Sequence, residues 1–98
     1  MKIIAEFKLI PIGIGPSFSD VIVVCEKILR TFPLKIDLHS EGTNLEGDYD
    51  EVMQAIKQCI EAVHTMGVPR LSANVSISSR HDKDETMQQK IETVEKNL

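Results

Sequence analysis

The sequence predicts an α+β domain in which two strand–helix–strand units share one antiparallel sheet. Three observations carry this. Four stretches alternate apolar and polar residues with the period of two of a half-buried strand. Two others repeat apolar residues at helical three- and four-residue intervals, and the six occur in the order strand, helix, strand, strand, helix, strand.

From Lys2 to Ile10, Ile3, Ala5, Phe7 and Leu9 fall on one face, and Ile4, Glu6, Lys8 and Ile10 on the other. Pro11 to Pro16, with Gly13 and Gly15 between them, is expected to break the strand, because prolines lack an N–H and glycines tolerate positive φ. Such a loop is either an ordinary strand-to-helix connection or a cradle for a ligand. Ser17 or Ser19 can cap a helix running to about Phe32, with Phe18, Val21, Ile22, Cys25, Ile28, Leu29 and Phe32 as its buried stripe and Pro33 as its stop. Leu34, Ile36 and Leu38 then alternate with Lys35, Asp37 and His39 in a second strand. It turns at Ser40-Glu41-Gly42 into a short third strand, Thr43 to Gly47.

Asp48, with Glu51 three residues on, reads as the cap of a second helix that buries Val52, Ile56, Cys59, Ile60 and Val63. Gly67 and Pro69 end it, and His64 is placed to meet its C-terminal carbonyls. Along Arg70 to Ser79, Leu71, Ala73, Val75 and Ile77 face the core, and Ser72, Asn74, Ser76 and Ser78 face away. A last helix, about residues 84–98, carries only Met87, Ile91, Val94 and Leu98 as an apolar stripe. That is too narrow for a central core helix, so it is expected to lie across a sheet edge or a partner subunit.

This order is a split βαβ repeated, the ferredoxin-like βαββαβ plait. Residues 1–98 then form a single domain with a four-stranded antiparallel sheet, two helices on one face and a C-terminal helix. The other face is left bare. It carries Ile4, Glu6, Lys8 and Ile10 from the first strand, and Lys35, Asp37 and His39 from the second. Asn44, Glu46, Asn74 and Ser76 complete it from the third and fourth. Isoleucines among charges on a bare sheet predict self-association through this face or the adjoining edge, and a ligand can satisfy polar groups trapped there.

Composition narrows the function. The 98 residues, 42% hydrophobic, suffice for one self-sufficient core. A formal charge of -4 disfavours nucleic acid and anionic membranes, which require clustered Lys and Arg. The central strands also lack the stacking aromatics of RNA-binding plaits. Cys25 and Cys59 sit in helical apolar patterns and read as buried reduced thiols, consistent with a cytoplasmic protein, and no apolar run spans a membrane. His39, His64 and His81 lack metal-ligand spacing, the acids near the hairpin lack a calcium-loop order, and no serine sits in a nucleophile elbow. Neither a metal site nor an enzyme is therefore expected. What remains is small-molecule binding, in which Glu46 or Glu6 accepts paired hydrogen bonds from a cationic or amidine-like heterocycle. Alternatively, Glu6, Lys8 and Glu46 simply pair with one another.

Six pieces occur together at fitting distances. They are Ile10-Pro-Ile-Gly13, the Ser19 helix start, Gly42-Thr-Asn-Leu-Glu-Gly47, Met66-Gly-Val-Pro-Arg70, Arg80-His-Asp-Lys83, and Thr86 with Lys90. In them the chain resembles the small thiamine-binding proteins related to YkoF, over essentially its full length. The resemblance implies a ferredoxin-like subunit, assembly into homodimers or tetramers, and non-catalytic binding of thiamine or its aminopyrimidine moiety, with no other cofactor. By the motif, Pro11, Ile12, Gly13, Ser19, Thr43 and Glu46 are the candidate ligand residues. His39, Asn74 and Ser76 join them from the geometry of the bare face. Arg70, Arg80, Asp82 and Lys83 also match, and are expected to fix the last helix or subunit contacts. The rival expectation is an assembly module without such a ligand.

Overall fold

A computed structural model describes residues 1–13 and 15–98. Its elements are β1 (Lys2–Ile12), α1 (Phe18–Leu29), β2 (Lys35–His39), β3 (Gly42–Asp48), α2 (Tyr49–Thr65), β4 (Arg70–Ser79) and α3 (Met87–Glu95). The strands form one antiparallel sheet in the order β2-β3-β1-β4, the ferredoxin-like arrangement. Ile3, Ala5, Phe7 and Leu9 of β1 and Leu45 of β3 meet Val21, Cys25 and Leu29 of α1 and Val52, Ala55, Cys59 and Val63 of α2 in a single core. Each side chain of Leu size taken fully from water there contributes about 1.5–3 kcal/mol.

Several boundaries differ from expectation, each for a physical reason. β1 does not break at Pro11 but continues to Ile12, with Pro11 opposite Leu71 and Ile12 opposite Arg70 of β4. On the other side of β1, pairing with β3 ends at Phe7↔Thr43. Beyond Phe7 the strand has one neighbour only, and an edge position tolerates a residue without an N–H. Ile14, in the middle of the expected glycine loop, lies outside the described residues.

Ser17 caps α1 by accepting the Asp20 amide at 3.3 Å, so Ser19 lies inside the first turn and is exposed. The helix stops at Leu29, not Phe32: the Thr31 and Phe32 amides bond back to the Ile28 and Leu29 carbonyls in tighter three-residue turns. Pro33 disfavours helical backbone at the residue before it, which accounts for the early end. Phe18, expected in the buried stripe, is 51% exposed. Asp48 caps α2 by accepting the Asp50 amide at 3.1 Å, and the same carboxylate holds the Met1 ammonium at 3.0 Å. His64 donates Nδ1–H to the Val68 carbonyl at 2.9 Å, beyond the helix it ends.

α3 begins at Met87, three residues later than expected, because Thr86 and Gln89 form a reciprocal capping box. Its buried residue is Met87, whereas Ile91 and Val94 are exposed. The link from β4 is stiffened by Arg80, which grips Asp82 through two bonds of 2.8 and 2.6 Å and reaches Glu85 at 3.4 Å. Those bonds hold the Asp82 carboxyl down at about 2. A folded-state value below the unfolded one, about 3.9, favours the folded chain above that pH, and the benefit is lost as pH falls through the depressed value. Both side chains are exposed to solvent, so this contribution is small. Titration of the Asp82 carboxyl carbon by NMR should show a midpoint near 2; an ordinary aspartate midpoint would mean that the grip does not form in solution.

Candidate ligand site

A cavity of about 200 Å³ opens between α1 and the β2–β3 hairpin. It lies on the helix side of the sheet, opposite the bare face. Phe7 and Leu9 of β1 form its floor, Phe18, Ile22 and Cys25 of α1 its roof, and Leu38 a side wall. Two polar groups converge inside this apolar lining. Thr43 is buried, and its hydroxyl donates to Glu26 Oε2 at 2.8 Å. Glu26 Oε1 accepts from Arg30 at 2.7 Å, one helical turn on, and the carboxylate side chain is only 13% exposed.

A carboxylate offers about four acceptor positions, so Glu26, with two occupied, can still accept from a ligand. Its surroundings favour that use, since a charge-assisted hydrogen bond is stronger where water is displaced. Cys25 borders the cavity, while Cys59 lies behind it and directs its thiol at the Cys25 carbonyl, 3.6 Å away. The neighbouring Cys25 thiol, with burial, pushes the Cys59 thiol far above its ordinary value and keeps it protonated.

The sequence-derived candidates divide among several places. Thr43 lies within the cavity and His39 on its rim. The His39 ring reaches across the edge of the sheet: Nδ1 accepts the Glu41 amide at 3.3 Å, so Nε2 carries the proton it directs at Asn44 Oδ1 (3.2 Å) and Glu6 Oε2 (3.4 Å). Ser76, with Ile4 and Glu6, lines a shallow hollow of about 230 Å³ between the bare face and the start of α3. Asn74 is exposed on that face opposite Lys8. Pro11, Ile12 and Gly13 run along the overhanging end of β1, and Gly13 takes a φ of 100° that favours glycine. Ser19 borders neither space.

Glu46 is 8% exposed although it belongs to the bare face, because α3 returns over it. Its Oε1 accepts the Met87 amide at 2.6 Å, and Oε2 stands 3.9 Å from Lys2 Nζ. This acid therefore completes the N-terminal capping of α3. Glu26, the acid that does face a cavity, was missed by sequence reasoning. Its signal was present: it follows Ile22 by four residues and precedes Leu29 by three, a carboxylate within a buried helical stripe.

The family model described as "Thiamine-binding protein" matches residues 5–95. The chain belongs to the thiamine-binding protein family. Relatives include UPF0045 protein sll0230 of Synechocystis, 40% identical over 95 residues that make up 97% of this chain and 78% of that one. UPF0045 protein ECM15 of Eremothecium gossypii is 38% identical over 96 residues, 97% of this chain and 91% of its own. The crystal structure of protein MJ1052 from Methanocaldococcus jannaschii superposes with a TM-score of 0.88 at 32% identity, covering 96% of each chain. The match to the thiamine-binding family runs from within β1 to the end of α3 and so takes in both Glu26 and Glu46. Among the described residues of this family member, no helix is long and apolar enough to cross a membrane, and no group of three His, Cys, Asp or Glu residues stands ready to hold a metal ion.

Proposed function

We propose that this protein binds thiamine, or the aminopyrimidine moiety of it, without transforming it, and does so in the cavity beneath the start of α1. The observation that carries the reading is the Glu26–Thr43 pair, a nearly buried carboxylate and a buried hydroxyl held 2.8 Å apart inside walls of Phe7, Phe18, Ile22 and Leu38. An aminopyrimidine presents a flat apolar ring to such walls and amino hydrogens to such a carboxylate, and the charge of Glu26 complements a thiazolium cation. At about 200 Å³ the space is smaller than the roughly 300 Å³ at which pockets for drug-sized ligands begin, which suits one ring more than a whole phosphorylated cofactor.

The same proposal includes self-association. Ile91 and Val94 of α3 and Leu98 are exposed, Ile4 and Ile10 of the sheet are half-covered, and the outer edge of β4 pairs with no strand among the described residues. A second subunit covering these groups would give a dimer or tetramer. Sedimentation equilibrium should return a mass two or four times 11.0 kDa; a monomer at all concentrations would remove this part of the proposal.

The binding itself is tested by calorimetric titration of protein that has been denatured and refolded to strip any carried ligand. Thiamine and its aminopyrimidine precursor should each bind saturably at one per subunit, and the isolated thiazole should bind more weakly. No heat from any of them, with folded protein, would overturn the reading and favour an assembly module.

A further inference from the structure

Near the start of β1, Lys2, Arg80, Lys83 and Lys90 surround a third pocket, of about 90 Å³. Asp84 and Glu85 are its acids, so four cations face two carboxylates in a chain whose formal charge is -4. The cations are not equally engaged. Arg80 is committed to Asp82 and Glu85, and Lys2 stands 3.9 Å from Glu46. Lys83 and Lys90 form no ion pair among the described residues. Ser78 and Ser79 also line the space; as successive strand residues they project from opposite faces, Ser78 from the bare face, while the Ser79 hydroxyl donates to the Met1 sulfur at 3.8 Å.

We propose that this pocket is a binding site for a phosphoryl-type oxyanion, with Lys83 and Lys90 as its principal charges and the Ser78 hydroxyl as a donor. At about 90 Å³ the space is less than half that of the α1 cavity, a size that suits a small tetrahedral anion. Lysine ammoniums suit such an ion as movable point charges, and a serine hydroxyl adds a hydrogen bond that a halide uses less well. One wall is the link between β4 and α3 and another is Lys90 of α3 itself, so a bound anion would tie that helix to the sheet. The site stands apart from the α1 cavity and does not depend on what that cavity holds.

The test is an NMR titration with inorganic phosphate and, separately, phenyl phosphate, at ionic strength held constant with sodium chloride. Saturable amide shifts confined to the pocket and the adjoining turn of α3 are expected. Equal binding of both anions points to the phosphoryl end of a larger molecule, and binding of inorganic phosphate alone points to the free ion. Each lysine charge is worth about tenfold in affinity, so K83M/K90M should lose roughly a hundredfold, while K83R/K90R, which keeps both charges, should retain binding. Non-saturating shifts, shifts reproduced by chloride alone, or unchanged affinity in K83M/K90M would overturn the proposal.

Discussion

Glu26→Ala should lower the affinity for thiamine by more than about a hundredfold while the subunit remains folded. A hydrogen bond to a charged group is worth about 1.5–3 kcal/mol, so losing two of them costs about 3 kcal/mol or more, which at 1.4 kcal/mol per decade exceeds two decades. The cost to the fold is smaller. Thr43 loses its acceptor at 2.8 Å, and Arg30, half exposed, turns to water. Glu26→Gln keeps an acceptor and removes the charge, so it should fall between the wild type and the alanine variant. Thr43→Val should weaken binding by about tenfold, since it deletes the one hydroxyl that orients the carboxylate. Calorimetry on variants of verified thermal stability checks the series. If Glu26→Ala binds thiamine as tightly as the wild type, the α1 cavity is not the site.

The second large effect belongs to the other buried acid and has the opposite signature. Glu46→Ala leaves the Met87 amide without its 2.6 Å partner in a covered position, and a buried group so orphaned costs about 1–3 kcal/mol. For a domain of this length a loss of about 2 kcal/mol lowers Tm by roughly 10 °C. Hydrogen exchange should show protection lost first in α3, because Met87 is its only buried residue, while β1 and β3 stay protected until global unfolding. Affinity for thiamine in the folded fraction should change little. The reverse result, affinity lost with stability retained, would return Glu46 to the ligand and make its bond to α3 incidental.

The sheet and the first two helices were legible because their signals are local. The serines of β4 alternate with apolar residues from Arg70 to Ser79, and the strand occupies that whole span. Pro11 misled because the rule that proline ends a strand presumes two neighbours. That β3 runs out beside Phe7 is a fact about a residue 36 positions later, Thr43. The start of α3 slipped for a different reason: Asp84 and Glu85 look like a charged first turn, but only Thr86 and Gln89 have the spacing to cap each other. Alternation correctly assigned Glu46 to the bare face, yet its covering depends on a helix that begins 41 residues further on. Glu26 was visible as an acid on a buried stripe. It became a candidate site only when folding brought Thr43, 17 residues away, to its carboxylate.

The overhang of β1 also sets an order of events during synthesis. Ile3 to Phe7 can pair with β3 once the chain has been made as far as Asp48, but Leu9 to Ile12 have no strand to join until Arg70 to Ala73 exist. At about 5–20 residues per second, the interval between Asp48 and Ala73 leaves that apolar end uncovered for roughly one to five seconds on every ribosome. Pro11, which cannot donate to an intruding strand, stands within the waiting segment and blunts its recruitment into a neighbouring nascent chain.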